Sequence, residues 1–194
     1  EETTAGYIQF NYSGGEKYPY RGNFGVRYVS TDQTNRGWVG IGEGDDFIPA
    51  DPENPQVTTY RSYNDWLPSF NLAVDLSDTW VMRAAANKAF TRPDPIDMSG
   101  RLDINEVDED GDNNGSGGNP DLIPYITYSY DLSLEWYPEI GGSYGAGLFY
   151  KDLKGYISSG SDEENVFVDG EWVAYNNRRP INTDGGTITG VELQ

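Results

Sequence analysis

Alternation of apolar and polar residues is the feature that most constrains the fold of this chain. Between residues 125 and 137, six apolar or aromatic side chains alternate with five polar ones. A period of two places the two sets on opposite faces of an extended strand. Weaker or shorter versions of the pattern cover residues 8–12, 21–31, 66–76, 80–90, 144–150 and 191–193. The sequence therefore predicts an all-β fold with seven strands.

Segment 80–90 also permits a helix, because Ala84, Ala85 and Ala86 favour helical backbone. Its flanks indicate a strand and a turn on one side and Thr91-Arg92-Pro93 on the other. We therefore predict a strand here and keep the helix as the alternative.

The connections between the predicted strands alternate strictly in length. Links 13–20, 77–78 and 138–143 are short, whereas 32–60, 91–123 and 155–186 are long. Outer-membrane barrels have short turns on one side and long extracellular loops on the other. Six aromatic rings near strand ends agree with an interfacial girdle, although aromatic residues also favour strands in general; they are Trp66, Trp80, Tyr125, Trp136, Tyr144 and Tyr150. The pattern predicts an antiparallel transmembrane β-barrel segment, and the odd number of strands indicates a piece of a larger barrel.

Composition excludes several function classes. The chain has 32 acidic and 13 basic residues, a net charge of −19, and neither cysteine nor histidine. Disulfide, thiol and histidine chemistry are therefore impossible, and nucleic acid is not an expected partner because its phosphates require a basic surface. Residues 91–123, 32–61 and 154–186, which contain the long connections, carry net charges of −7, −4 and −3, respectively. The acidity thus belongs mainly to the predicted loops.

Residues 108–115 resemble a calcium-binding loop in composition. Asp108, Asp110 and Asp112 are the candidate metal ligands. Neither register of a calcium loop places both the required glycine and the final glutamate correctly, so a solvated acidic loop is the alternative. No phosphate-binding loop or nucleophile elbow occurs, and the sequence predicts neither an enzyme nor any other cofactor.

Several segments, taken in order, resemble the barrel of TonB-dependent outer-membrane receptors. They are Arg21 to Tyr28, Trp66 to Leu72, Arg83-Ala84-Ala85, Thr91-Arg92-Pro93, Gly118 to Pro124, Tyr130 to Tyr137, Phe149 to Lys154 and Gly190 to Leu193. The resemblance covers almost the whole chain and looks closest to the branch associated with oligosaccharide uptake.

The resemblance implies a 22-stranded barrel closed by an N-terminal plug in the outer membrane of a Gram-negative bacterium. Substrate would be moved inward by the TonB-ExbB-ExbD complex, which acts through the plug. We expect the plug, the TonB box and the C-terminal strands to lie outside residues 1–194, and we expect these residues to form a partial barrel domain in contact with outer-membrane lipid.

For ligand contact we predict residues of the long connections. Trp38, Trp172 and Tyr175 could stack on sugar rings. Asn176, Asn177, Arg178 and Arg179 could supply hydrogen bonds and charge. The alternative is that these side chains pack loops over the barrel mouth.

Other motifs indicate structure rather than ligand contact. We expect Gly118-Asn119-Pro120 and Thr91-Arg92-Pro93 to frame a loop base, because Gly and Pro set turns. Polar networks inside the barrel are predicted for the lumen-facing residues Arg27, Arg83, Asn87, Asp131 and Glu135.

The leading interpretation is a receptor and active transporter for an oligosaccharide or related nutrient. A ferric siderophore receptor of the same family is the alternative, although loops totalling −14 would repel the anionic members of that ligand class. A soluble secreted carbohydrate-binding or adhesin protein is the third possibility, and it would bury its apolar strand faces against a second sheet.

Overall fold

The chain is all-β in the computed structural model, which describes residues 1–41, 48–53, 56–107, 113–168 and 170–194. Twelve strands are described: β1 (Glu2–Gly14), β2 (Tyr20–Ile41), β3 (Ile48–Pro49), β4 (Gln56–Asp75), β5 (Trp80–Thr91), β6 (Leu102–Ile104), β7 (Asn114–Gly117), β8 (Tyr125–Trp136), β9 (Tyr144–Lys154), β10 (Ile157–Val168), β11 (Glu171–Asn182) and β12 (Gly186–Leu193). Within these ranges no helix is long and apolar enough to cross a membrane.

Seven of the strands form an antiparallel meander that we call the wall sheet. Its order is β1, β2, β4, β5, β8, β9 and β12, and each strand pairs with the next one in this order. The sheet curls like part of a barrel. These seven strands correspond to the seven predicted from the alternation, which confirms the all-β antiparallel fold. The helical alternative for residues 80–90 is wrong, because that segment is β5 and pairs along its length with β8.

One face of the wall sheet carries apolar side chains that are exposed rather than buried in a core. Phe24 pairs with Phe70 across β2 and β4, and Leu132 pairs with Leu148 across β8 and β9. All four are exposed. Apolar side chains that stay outside a core in this regular way are typical of a sheet that meets lipid.

The prediction that 32–60, 91–123 and 155–186 are loops is wrong in large part. β2 and β4 remain paired from Tyr20 and Val74 out to Trp38 and Gln56. β10 and β11 form a hairpin within 155–186, and β6 and β7 lie within 91–123. The sequence pattern missed these extensions because they leave the lipid-facing region, where strict alternation is no longer required.

The extensions join into a second part of the sheet, which we call the loop sheet. It contains β10, β11, β7, β6, the outer end of β2 and β3, with parallel pairing of β11 to β7 and of β2 to β6. The buried apolar cluster of the described chain lies here and consists of Ala50, Leu102, Ile104, Val166, Val168 and Tyr175. The long connections are therefore a folded layer with its own core.

Residues 92–107 and 113–124 form what we call the inner segment, which includes β6 and β7. The inner segment covers one face of the β2–β4 hairpin. Gln33 Nε2 donates to Met98 Sδ at 3.0 Å, and Asn35 Nδ2 donates to the Pro120 carbonyl at 3.4 Å. Gln33 and Asn35 lie on the face of β2 opposite to the exposed Phe24, because side chains alternate along a strand. The inner segment therefore packs against the face that would look into the barrel.

Candidate functional site

An open cavity of about 430 Å³ lies between β10 and the outer ends of β2 and β4. It is lined by Val39, Ala50, Asp51, Gln56, Val57, Leu102, Glu164, Asn165, Val166, Phe167 and Trp172. Apolar walls with a few polar groups are typical of small-molecule sites. This cavity is the candidate ligand site of the described chain.

A hairpin positions the aromatic side of the cavity. β10 and β11 pair closely up to Val168 and Glu171, so only two residues separate the strands. One of them, Gly170, has a φ of 90°, a left-handed conformation that glycine adopts without steric penalty. The tight turn brings Phe167 directly opposite Trp172.

Phe167 and Trp172 meet edge to face and leave much of the indole open. Their ring centroids are 5.3 Å apart and their planes make an angle of 60°. Trp172 is 71% exposed. An edge-to-face contact fixes the orientation of the two rings relative to each other. The exposed part of Trp172 can receive a flat apolar surface.

A buried arginine and a buried amide hold one carboxylate at the cavity. Glu164 forms an ion pair with Arg179 across the β10–β11 hairpin, and Asn177 Nδ2 donates to Glu164 Oε2 at 3.3 Å. Asn177 is fully buried and the Arg179 side chain is 10% exposed, whereas Glu164 reaches the cavity. Both donors thus approach Glu164 from within the loop sheet.

Ala50 and Asp51, which follow β3, also line the cavity. Asp51 Oδ1 accepts a hydrogen bond from the backbone N–H of Glu53 at 3.0 Å, which shapes the turn after Ala50. Ala50 donates its N–H to the Val39 carbonyl at 2.9 Å and so anchors this turn to β2. Asp51 and Gln56 line the cavity together with Glu164 and Asn165.

The predicted ligand residues divide into three groups. Trp172 lines the cavity, but Trp38 does not; it precedes the lining residue Val39 and is 47% exposed. Tyr175 is fully buried and donates from Oη to the Asn105 carbonyl at 3.1 Å. Among the remaining four, Asn177 and Arg179 support Glu164, whereas Asn176 and Arg178 are exposed on β11.

Among the predicted residues that the structure describes, Trp172 is thus the one at the cavity wall. Asp108, Asp110 and Asp112, the candidate calcium ligands, lie outside the described residues, and calcium binding there stays a prediction.

Sequence reasoning missed most of the polar lining. Asp51, Gln56, Glu164 and Asn165 lie in connections that were predicted to be loops. The dipeptide Asp169-Gly170 between two apolar runs was the available signal, because it is a strong hairpin indicator. It would have placed residues on both sides of this turn on paired strands.

The inner segment connects the cavity region to the wall sheet. Asn119 Nδ2 donates to the Pro180 carbonyl at 3.0 Å. Asn182 Nδ2 donates to the carbonyls of Ile123 and Gly155, and its Oδ1 accepts from the Ile123 N–H. These bonds place the Gly118-Asn119-Pro120 motif at a junction between loops. Arg92 of the second motif donates to the hydroxyl groups of Thr3 and Thr31.

At the short-turn end, polar and aromatic side chains lie at the ends of the wall strands. Arg83 Nε lies 2.9 Å from Glu135 Oε1, as the predicted lumen network requires, and Tyr137 Oη donates to the same carboxylate. Trp136 stacks on Trp80 and on Tyr144 with centroid distances of 5.8 and 5.5 Å. A ring cluster at strand ends is typical of the membrane–water interface.

The described architecture has counterparts among solved structures. The siderophore receptor PirA from Acinetobacter baumannii matches 98% of this chain with 34% of its own length, at a TM-score of 0.54 and 17% identity. The hemophore receptor HasR from Serratia marcescens was solved with its hemophore HasA and heme. It matches 99% of this chain with 31% of its own length, at a TM-score of 0.57 and 13% identity. The ferric enterobactin receptor PfeA from Pseudomonas aeruginosa matches 98% of this chain with 32% of its own length, at a TM-score of 0.55 and 16% identity.

At these identities the three likenesses establish the fold alone, and this chain spans about a third of each structure's length. No match was found among curated proteins. The family model described as "TonB dependent receptor-like, beta-barrel" matches residues 1–194. The chain therefore belongs to the TonB-dependent receptor family, whose β-barrel domain it represents in part.

Proposed function

We propose that the protein containing this chain is an outer-membrane receptor and active transporter for a nutrient, energised by the TonB-ExbB-ExbD complex. Family membership over the whole chain supports this proposal. The exposed apolar face of the wall sheet also supports it, because such a face is stable in lipid and unfavourable in water. A soluble secreted protein is disfavoured by the same observations.

We infer that the loop sheet stands on the extracellular side of the membrane. Short turns join the wall strands at the opposite end, and in outer-membrane barrels the short turns are periplasmic. The cavity beside Trp172 then opens where a nutrient arrives, and the inner segment lies between this cavity and the barrel lumen.

The nutrient that this cavity fits best is an oligosaccharide. The observation that supports this choice is the exposed indole of Trp172, which contacts Phe167 and lines the cavity together with the amides of Gln56 and Asn165. A pyranose ring offers an apolar face for stacking, and its hydroxyl groups pair with amides. A ferric siderophore is the second candidate, since PirA and PfeA carry that substrate class in their names.

A matched pair of tryptophan variants tests this substrate assignment. In the full-length receptor, Trp172→Ala should lower the affinity for the transported oligosaccharide by about 5- to 150-fold, the effect of losing about 1–3 kcal/mol of ring contact. Trp38→Ala removes an equally large ring that does not line the cavity, and it should leave affinity and uptake unchanged. Equal effects of the two substitutions would contradict the assignment.

Uptake by whole cells tests the transport activity and the substrate class together. A strain lacking the gene should lose growth on the oligosaccharide, and dissipating the proton-motive force should stop uptake in the wild type while surface binding persists. Normal growth on oligosaccharides combined with a defect under iron limitation would favour the siderophore alternative instead.

A further inference from the structure

We propose that Glu164 binds a sugar hydroxyl group and thereby holds a second sugar unit beside the one stacked on Trp172. This assignment rests on the proposed function, and it specifies a substrate of at least two units with free hydroxyl groups. The Glu164 side chain is 46% exposed and lines the cavity, so a ligand can reach its carboxylate.

The cavity receives side chains from both faces of β10. Four consecutive residues of this strand line it, from Glu164 to Phe167, although their side chains alternate between the two faces. β10 is the terminal strand of the loop sheet, and within the described residues it pairs with β11 alone. A ligand lying along this edge can therefore contact Phe167 and Trp172 on one face of the strand and Glu164 on the other.

Strand geometry separates these two contacts. Glu164 and Phe167 are three positions apart on β10, which places their α-carbons about 10 Å from each other. A hydrogen bond from a hydroxyl group spans only about 2.5–3.0 Å. We therefore expect the ring on Trp172 and the hydroxyl group on Glu164 to belong to different sugar units.

One oxygen of the Glu164 carboxylate is left for a ligand. Arg179 Nη2 and Asn177 Nδ2 both donate to Oε2. Among the residues that the structure describes, no donor reaches Oε1. An ionised carboxylate accepts hydrogen bonds and donates none. Oε1 can therefore accept from a hydroxyl group, the donor that neutral sugar units carry.

Arg179 makes this carboxylate suitable for an uncharged ligand. Its side chain is nine-tenths buried, and its positive charge offsets the negative charge of Glu164. With Asn177, which is fully buried, it fixes the carboxylate before a ligand arrives, so binding requires little further ordering. A hydrogen bond to an ionised carboxylate is also stronger than one between neutral groups. Glu164 should thus contribute more affinity per hydrogen bond than the amides of the lining.

Affinity measurements on the purified full-length receptor in detergent test the role of Glu164. The probes are four neutral tetramers, those of cellulose, starch, xylan and chitin. The double substitution Glu164→Gln/Arg179→Gln removes the carboxylate without leaving a buried charge unpaired. It should lower the affinity for a tetramer that binds the wild type at least about fivefold, because an amide is the weaker acceptor. Glu163→Gln is the matched control, since Glu163 is exposed and does not line the cavity, and it should leave the affinity unchanged.

A structure of the receptor with the bound tetramer locates the contact directly. We expect one ring to stack on Trp172 and a hydroxyl oxygen of another ring to lie about 2.5–3.0 Å from Glu164 Oε1. A bound tetramer that makes no contact with Oε1 would overturn the inference and leave the oligosaccharide receptor intact, as would equal affinities of the wild type and the double variant. Contact of a single ring with both residues would overturn the assignment of a second unit. Binding of none of the tetramers by the wild type would overturn the inference together with the proposed substrate.

Discussion

Substituting Gly37 with alanine should separate the inner segment from the barrel wall. Gly37 lies near the outer end of β2 and packs against Gly100 of the inner segment. An ideal Cβ on Gly37 would overlap the backbone carbonyl group of Gly100. The reverse substitution is nearly as tight, because a Cβ on Gly100 would lie 2.9 Å from Gly37 N and 3.1 Å from its Cα. Because both obstacles are backbone atoms, no side-chain rotation relieves the overlap.

The packing around Gly37 and the contacts of the inner segment set the range of stability that Gly37→Ala is expected to cost. Overpacking of a closely packed site costs about 1–3 kcal/mol. If the inner segment separates completely, Leu102 and Ile104 leave the buried cluster. Each loses about 1.5–3 kcal/mol of burial, which sets an upper bound of about 3–6 kcal/mol. The parallel pairing of Val39 with Leu102 would be lost in the same event.

Hydrogen–deuterium exchange of the full-length receptor in detergent measures this opening. An overpacking loss of about 1–3 kcal/mol predicts about 5- to 150-fold faster exchange in β6, with β8 and β9 unchanged. Gly6→Ala is the matched control, because a Cβ there meets nothing within 4 Å. Indistinguishable exchange in the Gly37→Ala and Gly6→Ala receptors would refute the reasoning.

Three further substitutions test the loop sheet and the wall. Tyr175→Phe keeps the buried ring but loses the bond to the Asn105 carbonyl, and should lower the free energy of opening the loop sheet by about 1 kcal/mol, measured by hydrogen exchange of β11. Asn182→Ala removes three hydrogen bonds and should increase proteolysis of the inner segment, whereas Asn176→Ala on the exposed side of β11 should not. Arg83→Gln breaks a half-exposed ion pair and should change the free energy of unfolding by less than about 1 kcal/mol; a larger drop in the thermal midpoint would show that this pair supports the wall.

The wall sheet could be predicted because its environment imposes a simple rule. Each strand meets lipid on one face and polar groups on the other, so residues such as Phe24 and Leu132 recur at every second position. Register follows from the same rule, since a slip by one residue would turn every apolar side chain to the wrong face. Pairing of Phe24 with Phe70 keeps apolar rings together on one side of the sheet.

The loop sheet could not be predicted in the same way. Several of its strands pair with a given neighbour over only three residues. β6 and β7 contain only three and four residues. Its core combines Ala50, Leu102 and Tyr175, which are far apart in sequence and show no shared periodicity. Parallel pairing of Val39 with Leu102 depends on a long connection whose path no local pattern reveals.

The candidate site illustrates the same division. Trp172 was identified from its residue type and its place in a long connection, and the structure brings it to a cavity wall. Tyr175 and Asn177 were also predicted as ligand contacts and lie close to Trp172 in sequence, yet both are fully buried. Alternation along β11 separates them from Trp172, and this separation became visible only once the hairpin was known.

The sequence by itself determined the class of this protein: period-two alternation and short turns opposite long connections are local properties imposed by lipid on every crossing strand. Only the tertiary structure decided what the long connections form. Their burial, pairing and cavity depend on contacts between segments that are distant along the chain, and those contacts arise from the way the connections pack on one another above the barrel.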